Sequence, residues 1–466
     1  MKLTIKRKKL YTLISIPLLL TASHIVAKPI DKIAISLEQV TKDVHYLASD
    51  SLQGRANYSK ELEQAASYIA QRFKESGLSP YQPDTKDTKS YLQAFNINEF
   101  KLEKISLKLN GVEVNDKDIA VASTLAKTQW TFSTDKPSNT IKQHTIAKDD
   151  DFRTAIRSIN AQGGEHFVTV SRAHQDMFSR YKAYFSRGIT KLATNEKANG
   201  TGGTIVMVLA DDTSTVNSVQ VNASTQISQK HLSNVVGVLP GTTHPEEIVL
   251  FSAHYDHIGM KSETHNSDED IIYNGADDDA SGTSAVMNLA DYYAKKGNNK
   301  RTLMFATFSA EEIGGYGSQY FSKQVNPESI TAMINIEMIG KPSKFGVGTL
   351  WMTGFERSTL GELLNKELAP YNMEIHVDPY PKQGLFYRSD NATLARQGVP
   401  AHSFSSTQLD KDQHYHNVSD DISSLDFNSL HLVVKSLAVA TQPLVDAKIT
   451  PSRIDKNTVN NKGKIY

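Results

Sequence analysis

The sequence predicts an α/β fold with a mainly parallel sheet that is covered by helices on both faces. Strand-like and helix-like segments alternate from about residue 233 onward, which is the pattern of a parallel sheet with crossover helices. The chain has 466 residues, of which 39% are hydrophobic and 22% are charged. This is the composition of a soluble globular protein with the length for two or three domains.

A helix is predicted in the amino-terminal part of the chain, over residues 60–76. Apolar side chains recur there at helical spacing, and Gly77 follows as a terminator. The residues on the apolar face are Leu62, Ala65, Ala66, Ile69 and Phe73. The preceding segment, DVHYLASDSLQGR, has the pattern of a helix end that runs into a loop.

Residues from about 100 to 232 differ in character and predict a β-rich insert. The segment ISLKLNGVEV alternates apolar and polar residues around Asn110-Gly111, which is a strong hairpin signal. The segment TIVMVLA, residues 204–210, is typical of a buried strand. The residues between these two segments are polar and irregular, so the insert is predicted from the two strand signals alone.

The regular alternation begins near residue 233. In chain order the predicted elements are strands in NVVGVLP and IVLFSAHYD, a helix over 281–296, a strand in TLMFATFSA, a helix near 316–324, a strand in AMINIEMIG, a helix near 357–368, a strand in VPAHSFSS and a helix over 427–441. In open sheets of this kind the functional residues lie beyond the carboxyl ends of the strands.

The first 27 residues have the pattern of a signal peptide. The basic stretch MKLTIKRKK precedes the short apolar run LYTLISIPLLLTA, and small residues follow, with cleavage expected after Ser23 or Ala27. The run is short for a membrane span, which disfavours an uncleaved anchor. We therefore expect export to the periplasm or the exterior, with no stable membrane insertion after cleavage. The absence of cysteine excludes disulfides and leaves the compartment open.

The charge balance gives no indication of a nucleic-acid partner. The formal net charge is zero, but residues 1–27 contain five basic residues and no acidic residue. The remainder of the chain therefore carries a net charge of −5. A mildly acidic chain lacks the basic surface that phosphate backbones attract.

Histidines and carboxylates gather just after the predicted strands. They are His254 and Asp256 after IVLFSA, the three aspartates of NGADDDASG, Glu311 and Glu312 after TLMFATFSA, Glu337 after AMINI, and His416 in HYHNVSDD. Each cluster alone is also explained by a helix cap or a solvated loop. Together, at one edge of a sheet, they indicate a pair of divalent metals held by nitrogen and oxygen ligands. Two metals about 3.5–4 Å apart need a bridging carboxylate, and an aspartate that opens a helix is well placed for this.

The sequence resembles the zinc aminopeptidase family that also contains glutamate carboxypeptidases and glutaminyl cyclases. The matching segments, in the family's order, are LASDSLQGR, HYDH, GADDDASG, SAEEIGGYGS, NIEMIG, FYRSDN and YHNVSDD. The resemblance implies a zinc-exopeptidase-like catalytic domain formed by residues 28–99 and 233–445. It also implies a protease-associated-like insert at 100–232, between the signal peptide at 1–27 and a polar tail at 446–466.

The resemblance also implies a role for each site residue. His254 and Glu337 would be terminal ligands of one metal, Glu312 and His416 would be terminal ligands of the other, and Asp278 would bridge them. Glu311 would be the general base. Asp256 would orient His254, and Tyr415 would hydrogen-bond the tetrahedral oxyanion. His257 and His414 lie near the motifs and rank below His254 and His416 by position.

Two departures from the family pattern bear on specificity. The family usually has aspartate where Glu337 stands, and its SDH motif reads Ser389-Asp390-Asn391 here. The longer glutamate side chain is expected to alter metal spacing or metal preference, and the SDN change is expected to alter the substrate side of the site.

The resemblance implies a secreted or periplasmic aminopeptidase that hydrolyses N-terminal peptide bonds of peptides with a free N-terminus. It would use a metal-activated water and two divalent ions, expected to be Zn²⁺. One alternative is a glutaminyl cyclase-like acyltransferase, which would need one metal. A second is a carboxypeptidase, for which Arg388 in FYRSDN is the candidate residue to hold a substrate carboxylate. A third is a binding ectodomain without catalysis, although all five ligand positions hold competent residue types.

Overall fold

The computed structural model describes residues 28–81, 88–193, 202–211, 216–261 and 269–459, and the predicted signal peptide lies outside these ranges. The α-helices are α1 (Leu37–Leu47), α2 (Lys60–Glu75), α3 (Phe152–Gln162), α4 (Gln175–Ser186), α5 (Gly282–Lys296), α6 (Tyr316–Gln324), α7 (Leu360–Leu368), α8 (Asn391–Ala395) and α9 (Phe427–Val445). Directly before α5, residues Ala276–Ser281 form a single wide helical turn.

The strands are β1 (Ser79–Pro80), β2 (Leu92–Leu109), β3 (Val112–Glu113), β4 (Ile119–Ser123), β5 (Lys127–Ser133), β6 (Ile141–Ile146), β7 (Glu165–Ser171), β8 (Ile189–Leu192), β9 (Thr204–Ala210), β10 (Ser218–Leu239), β11 (His244–His254), β12 (Gly259–Met260), β13 (Ile272–Tyr273), β14 (Arg301–Phe308), β15 (Ile330–Ile336), β16 (Leu350–Met352), β17 (Ile375–Val377) and β18 (Ala401–Ser405).

The main sheet is mixed, with a parallel centre. Its order is β17-β16-β18-β15-β11-β14-β10-β2-β3, and the four central strands β18, β15, β11 and β14 are mutually parallel. Strand β10 runs antiparallel to β14, and β16 runs antiparallel to β18. The predicted α/β class is therefore confirmed, and its parallel character is concentrated in the strands whose ends carry the site.

Both faces of the sheet are buried, and the side chains of neighbouring residues in one strand pack on opposite faces. In β11, Phe251 packs into the core under α2, α5 and α9, whereas Leu250 packs into the core under α6 and α8. Strand β14 repeats the pattern with Phe305 and Met304. This alternation is the period of two expected for strands, and burial of both faces explains why their sequences are continuously apolar.

The helices and turns predicted with clear signals are present. Helix α2 begins after Ser59, whose side chain accepts a hydrogen bond from the amide of Leu62, and Gly77 follows its end with φ +81°. Asn110 and Gly111 connect β2 to β3 in an antiparallel hairpin. The predicted buried strand is β9, with the predicted bounds.

The segment between residues 100 and 232 holds more than strands. It contains a second sheet in the order β4-β9-β7-β6, and α3 and α4 pack on this sheet. The long strands β2 and β10 run from the main sheet into this unit, so the predicted boundaries at 99 and 232 fall inside strands. At the other end of the chain, Ile454 and Val459 of the predicted polar tail are buried against the main sheet.

Candidate metal centre

The predicted ligands meet at the carboxyl edge of the parallel strands. His254 ends β11, Glu312 follows β14, Glu337 follows β15, His416 lies in the loop after β18, and Asp278 lies in the turn that precedes α5. Because these strands are parallel neighbours, their ends lie side by side, as the sequence argument required.

Asp278 stands between two separate pairs of side chains. Its Oδ1 lies 3.1 Å from His254 Nε2, which in turn lies 3.3 Å from Glu337 Oε1. Its Oδ2 lies 3.3 Å from His416 Nε2, which lies 3.2 Å from Glu312 Oε2. One carboxylate thus turns one oxygen to each pair, and this is the arrangement that a bridging ligand requires.

The residues present fit divalent cations of the zinc type. All donors are imidazole nitrogens and carboxylate oxygens, and the atoms offered by His254, Asp278 and Glu337 lie within 4.8 Å of one another. Burial raises the pKa of Asp278, but hydrogen bonds from His254 and His416 outweigh it and hold that pKa well below its usual value. The carboxylate is therefore ionised, as a ligand must be.

His257 belongs to the second group of donors, although sequence position ranked it lower. His257, Asp278 and Glu312 offer ligand atoms within 4.8 Å of one another. His257 Nδ1 lies 2.7 Å from Glu312 Oε1 without the alignment of a hydrogen bond, and both ring nitrogens are buried without a hydrogen-bond partner. An unpartnered buried imidazole is costly, so this is further evidence that the cluster suits a cation.

The two aspartates beside Asp278 have a different task. Asp277 Oδ1 accepts a hydrogen bond from the Gly340 amide at 2.7 Å. Asp279 accepts hydrogen bonds from the Met338 amide at 3.0 Å and the Gly282 amide at 3.1 Å. They tie the turn to the loop after β15, so two of the three adjacent carboxylates serve as backbone anchors and only Asp278 faces the histidines.

Asp420 and Lys341 complete this support. The Asp420 carboxylate accepts hydrogen bonds from the amides of Asp277 and Asp278, at 3.1 Å each for the shortest contacts. Lys341 Nζ lies 3.2 Å from Asp277 Oδ2 and 3.7 Å from Asp420 Oδ1. Asp420 belongs to YHNVSDD, but its role depends on a contact across 142 positions of the chain, which the sequence did not reveal.

The Asp256 side chain holds the loop of Glu311 and Glu312 more directly than it holds His254. The Asp256 carboxylate accepts hydrogen bonds from the amides of Glu311 (3.1 Å) and Glu312 (3.2 Å) and from Asn57 Nδ2 (2.8 Å). Its Oδ1 lies 3.7 Å from His254 Nδ1, which instead donates to the backbone carbonyl of Asp256 at 3.1 Å. The residue orients the ring through its main chain and fixes the glutamate loop through its side chain.

A cavity of about 300 Å³ opens onto this cluster. Glu311, the predicted general base, lines it together with apolar side chains that include Trp351 and Leu385. Burial and the neighbouring carboxylates of Glu337 and Asp390 raise the pKa of Glu311 well above its usual value, although His254 acts in the opposite direction. A carboxylate with a raised pKa is a stronger proton acceptor, as general-base chemistry requires.

Tyr415 and Arg388 lie at the rim of the cavity. The Tyr415 ring stacks on His416 with centroids 3.9 Å apart and is 42% exposed. Arg388 is exposed and lines the same cavity. His414, the other near-motif histidine, turns away from the cluster, because its Nδ1 donates to the Ser419 carbonyl at 2.9 Å.

The SDN segment contacts Glu337 through Ser389. Its hydroxyl donates to Glu337 Oε2 at 2.5 Å and accepts from Asn335 Nδ2 at 2.7 Å. Asn391 is fully buried and donates to the carbonyls of Phe386 and Ala401, so it lies outside the cavity lining. The SDN segment therefore reaches the site through Ser389, which holds the longer Glu337 side chain.

Arg55 is a buried support that sequence reasoning missed. Its guanidinium donates to the carbonyls of Tyr255 (2.8 Å), Asn274 (2.7 Å) and Gly275 (3.0 Å), and also to that of Leu47. It thereby joins the loop after His254 to the turn that carries Asp278. The signal in the sequence was its place in LASDSLQGR, which matched the family without indicating a contact.

Fold and site together define an α/β protein with a candidate metal centre at the carboxyl edge of its parallel strands. Residues 234–441 match the model of Peptidase family M28.

The relatives agree with this assignment. A probable zinc metalloprotease from Leptosphaeria maculans is 33% identical over 111 residues, which are 23% of this chain and 25% of the relative. Leucine aminopeptidase 1 from Paracoccidioides brasiliensis is 30% identical over 215 residues, 42% of this chain and 51% of the relative. The chain thus spans between a quarter and about half of these curated relatives. The solved aminopeptidase from Aneurinibacillus sp. strain AM-1 shares the fold, with TM-score 0.51 and 16% identity over 91% of this chain and 96% of that one.

Proposed function

We propose that this chain is an exported aminopeptidase that uses two zinc ions to hydrolyse the first peptide bond of peptides with a free N-terminus. The observation that carries the proposal is the Asp278 carboxylate, whose two oxygens face two separate histidine and glutamate pairs. The names of the relatives, a zinc metalloprotease and a leucine aminopeptidase, support the metal and the reaction class.

The ligands fall into two sets in this proposal. His254 and Glu337 hold one ion, His416 and Glu312 hold the other, and Asp278 contributes to both. Bound there, divalent ions would supply Lewis-acid polarisation of the scissile carbonyl and lower the pKa of a water. His257 lies close enough to the second set to contribute to it.

The protein side chains supply the proton transfer. Glu311 lines the cavity and accepts the proton of the attacking water, then gives it to the departing amine. The Asp256 carboxylate holds the Glu311 and Glu312 amides, so the base and a ligand keep a fixed separation. In this proposal Tyr415, which lines the same cavity, donates its hydroxyl hydrogen to the oxyanion that forms.

The preference for an N-terminus over a C-terminus is proposed from the relative named leucine aminopeptidase 1. Four carboxylates line the cavity, those of Asp278, Glu311, Glu312 and Glu337, and two bound divalent ions would balance their charge. A carboxypeptidase must hold a substrate carboxylate, and Arg388 at the rim is the specific residue that supports this second candidate. A glutaminyl cyclase-like acyltransferase is favoured less, because the donors form two sets rather than one.

Export is proposed from the basic, apolar and small-residue pattern of residues 1–27. Among the described residues, no helix is long and apolar enough to cross a membrane. The amino-terminal sequence of the protein recovered from a periplasmic or culture fraction tests this: a start at His24 or Lys28 supports it, and an intact Met1 in the cytoplasmic fraction contradicts it.

The activity is tested on purified protein by metal analysis and by hydrolysis of a panel of aminoacyl-p-nitroanilides before and after chelation. We expect about two zinc ions per chain, with cleavage that chelation abolishes and added zinc restores. N-acetylated peptides serve as the matched substrates. If N-acetylated peptides are cleaved from the C-terminus and Arg388→Gln abolishes this cleavage, the protein is a carboxypeptidase. If N-terminal glutamine is cyclised and each chain holds one metal, the protein is a cyclase.

A further inference from the structure

A second and larger cavity lies away from the metal centre. It is a cleft of about 560 Å³ between the insert and the catalytic part of the chain, a volume typical of ligand sites. One wall comes from α3, α4 and β8, and the other comes from α6 and the loop that precedes it. Tyr316 joins the walls, because its hydroxyl donates to the Thr190 carbonyl at 2.8 Å.

The positive charge of this basic cleft comes from three elements. Arg153 and Arg157 lie one helical turn apart on α3, Lys191 lies on β8, and Lys323 lies on α6. All four side chains are exposed, and no described residue that lines the cleft is acidic. Asp151, at the start of α3, interacts electrostatically with Arg153 and Arg157, but it does not line the cleft. Since the chain after residue 27 has a net charge of −5, this concentration of positive charge is local.

Apolar and aromatic groups lie between the charges. Tyr181, Tyr184 and Phe185 follow helical spacing on α4 and turn one face to the cleft, and Tyr184 is 60% exposed. Ile156 on α3 and Ile313 in the opposite loop add aliphatic surface. A simple solvated basic surface needs no such lining, whereas peptide recognition combines charged contacts with aromatic anchors.

We propose that the basic cleft binds an acidic peptide segment that carries an aromatic or aliphatic side chain. Glutamate and aspartate side chains complement Arg153, Arg157 and Lys323, and the apolar residue packs against the tyrosines of α4. Ile313, the residue that follows Glu312, lines the cleft, so an occupant contacts the loop that carries Glu311 and Glu312. The proposal concerns binding alone and does not require that the chain be a peptidase.

Binding is measured by fluorescence anisotropy of a labelled, N-acetylated and C-amidated peptide, Glu-Glu-Phe-Glu-Glu, with the full-length protein in low salt. The blocked ends prevent attack at either terminus, so failure of the proposed activity cannot hide binding. The Gln-Gln-Phe-Gln-Gln peptide is the uncharged control. Hydrogen exchange of residues 310–317 reports whether the bound peptide lies in the cleft.

We expect saturable binding that weakens with salt, and about tenfold weaker binding to Arg153→Glu/Arg157→Glu. The matched control is Lys74→Glu/Lys366→Glu, which makes the same change in net charge at exposed sites elsewhere and should bind as wild type does. Protection of residues 310–317 should accompany binding. The proposal is overturned if the glutamine peptide or an oligothymidylate binds as tightly as the acidic peptide does. It is also overturned if Arg153→Glu/Arg157→Glu binds the acidic peptide as tightly as wild type does.

Discussion

Replacement of Arg55 by methionine tests whether its hydrogen bonds hold in place the loops that carry His254 and Asp278. Arg55 is fully buried and donates to four backbone carbonyls, two of which belong to the turn before Asp278 and one to the residue after His254. Methionine has similar length and no donor, so the variant removes all four hydrogen bonds; the Gly275 carbonyl keeps a second one from the Ala280 amide at 3.2 Å. Lysine, with a single nitrogen, is unable to reach all four.

The size of the effect follows from the hydrogen bonds. A buried acceptor that loses its partner costs about 1 kcal/mol or more, so the three carbonyls left without one give about 3 kcal/mol or more. Burial of the guanidinium is itself unfavourable and lowers the pKa of Arg55 to about 10, which offsets part of that loss. We therefore expect Arg55→Met to lower the free energy of unfolding by about 2–4 kcal/mol. Displacement of the two loops should also weaken zinc binding by about 10–100-fold, as loss of ligand support does elsewhere.

Arg301 provides the matched control. It is 3% exposed and donates to the Leu444 carbonyl (2.8 Å), the Ile449 carbonyl (2.7 Å) and Thr450 Oγ1 (2.7 Å). It begins β14, at the opposite end of the strand from the glutamates, so Arg301→Met should lower stability without a change in metal affinity. Urea unfolding of the metal-free proteins gives the stabilities, and competition with a chromophoric chelator gives the zinc dissociation constants. If the two variants bind zinc within twofold of each other, Arg55 is only a part of the core and the reasoning is wrong.

Three further changes address the ligands, the base and acid stability. Asp278→Asn should lower the zinc-to-protein ratio measured by mass spectrometry, whereas the exposed control Asp176→Asn should keep it, and an unchanged ratio in Asp278→Asn would rule out the bridge. Glu311→Gln should retain zinc and lower kcat by about 10²–10⁴-fold, and near wild-type turnover would remove its role as base. Burial lowers the pKa of His402 to about 4, so the unfolded chain binds this proton more tightly and stability falls as pH drops below about 6.5. Between pH 7 and 5 wild type should lose about 2 kcal/mol more than His402→Gln, and parallel urea-unfolding profiles would contradict this.

The strand-end argument predicted which side chains gather at the candidate metal centre, because it depends on local pattern and on one rule of topology. An apolar run identifies a strand, the parallel arrangement puts neighbouring ends together, and the polar residue after each run must then lie at that edge. His254 and Glu337 meet in this way although 83 positions separate them. Helix α2 and the hairpin at Asn110-Gly111 were predictable for the same reason, because their signals are complete within a few residues.

The supporting contacts were not predictable, because each depends on which distant loops meet. Arg55 and Tyr255 lie 200 positions apart, and nothing near either residue signals the other. Asp256 has the residue type that the pattern predicted, yet its carboxylate accepts hydrogen bonds from backbone amides. Because nearly every residue has a backbone amide, the sequence does not indicate which ones will be the donors. The helices of the insert are different. Asp151 caps α3, and Phe152, Ile156 and Ile159 form its buried face, so a local signal existed in a segment that was interpreted as irregular.

The aspartate turn shows how three adjacent carboxylates coexist in a buried place. Asp277 is anchored by the Gly340 amide and Lys341, and burial nevertheless raises its pKa to about 7. Burial also raises the pKa of Asp279 well above its usual value, together with the nearby carboxylate of Glu337. Of the three, Asp278 alone has its pKa held well below the usual value, by hydrogen bonds from His254 and His416, and it is the residue that faces the histidines. Adjacent carboxylates in unlike environments need not all be ionised, and the demand for a cation therefore falls on Asp278 rather than on the whole triplet.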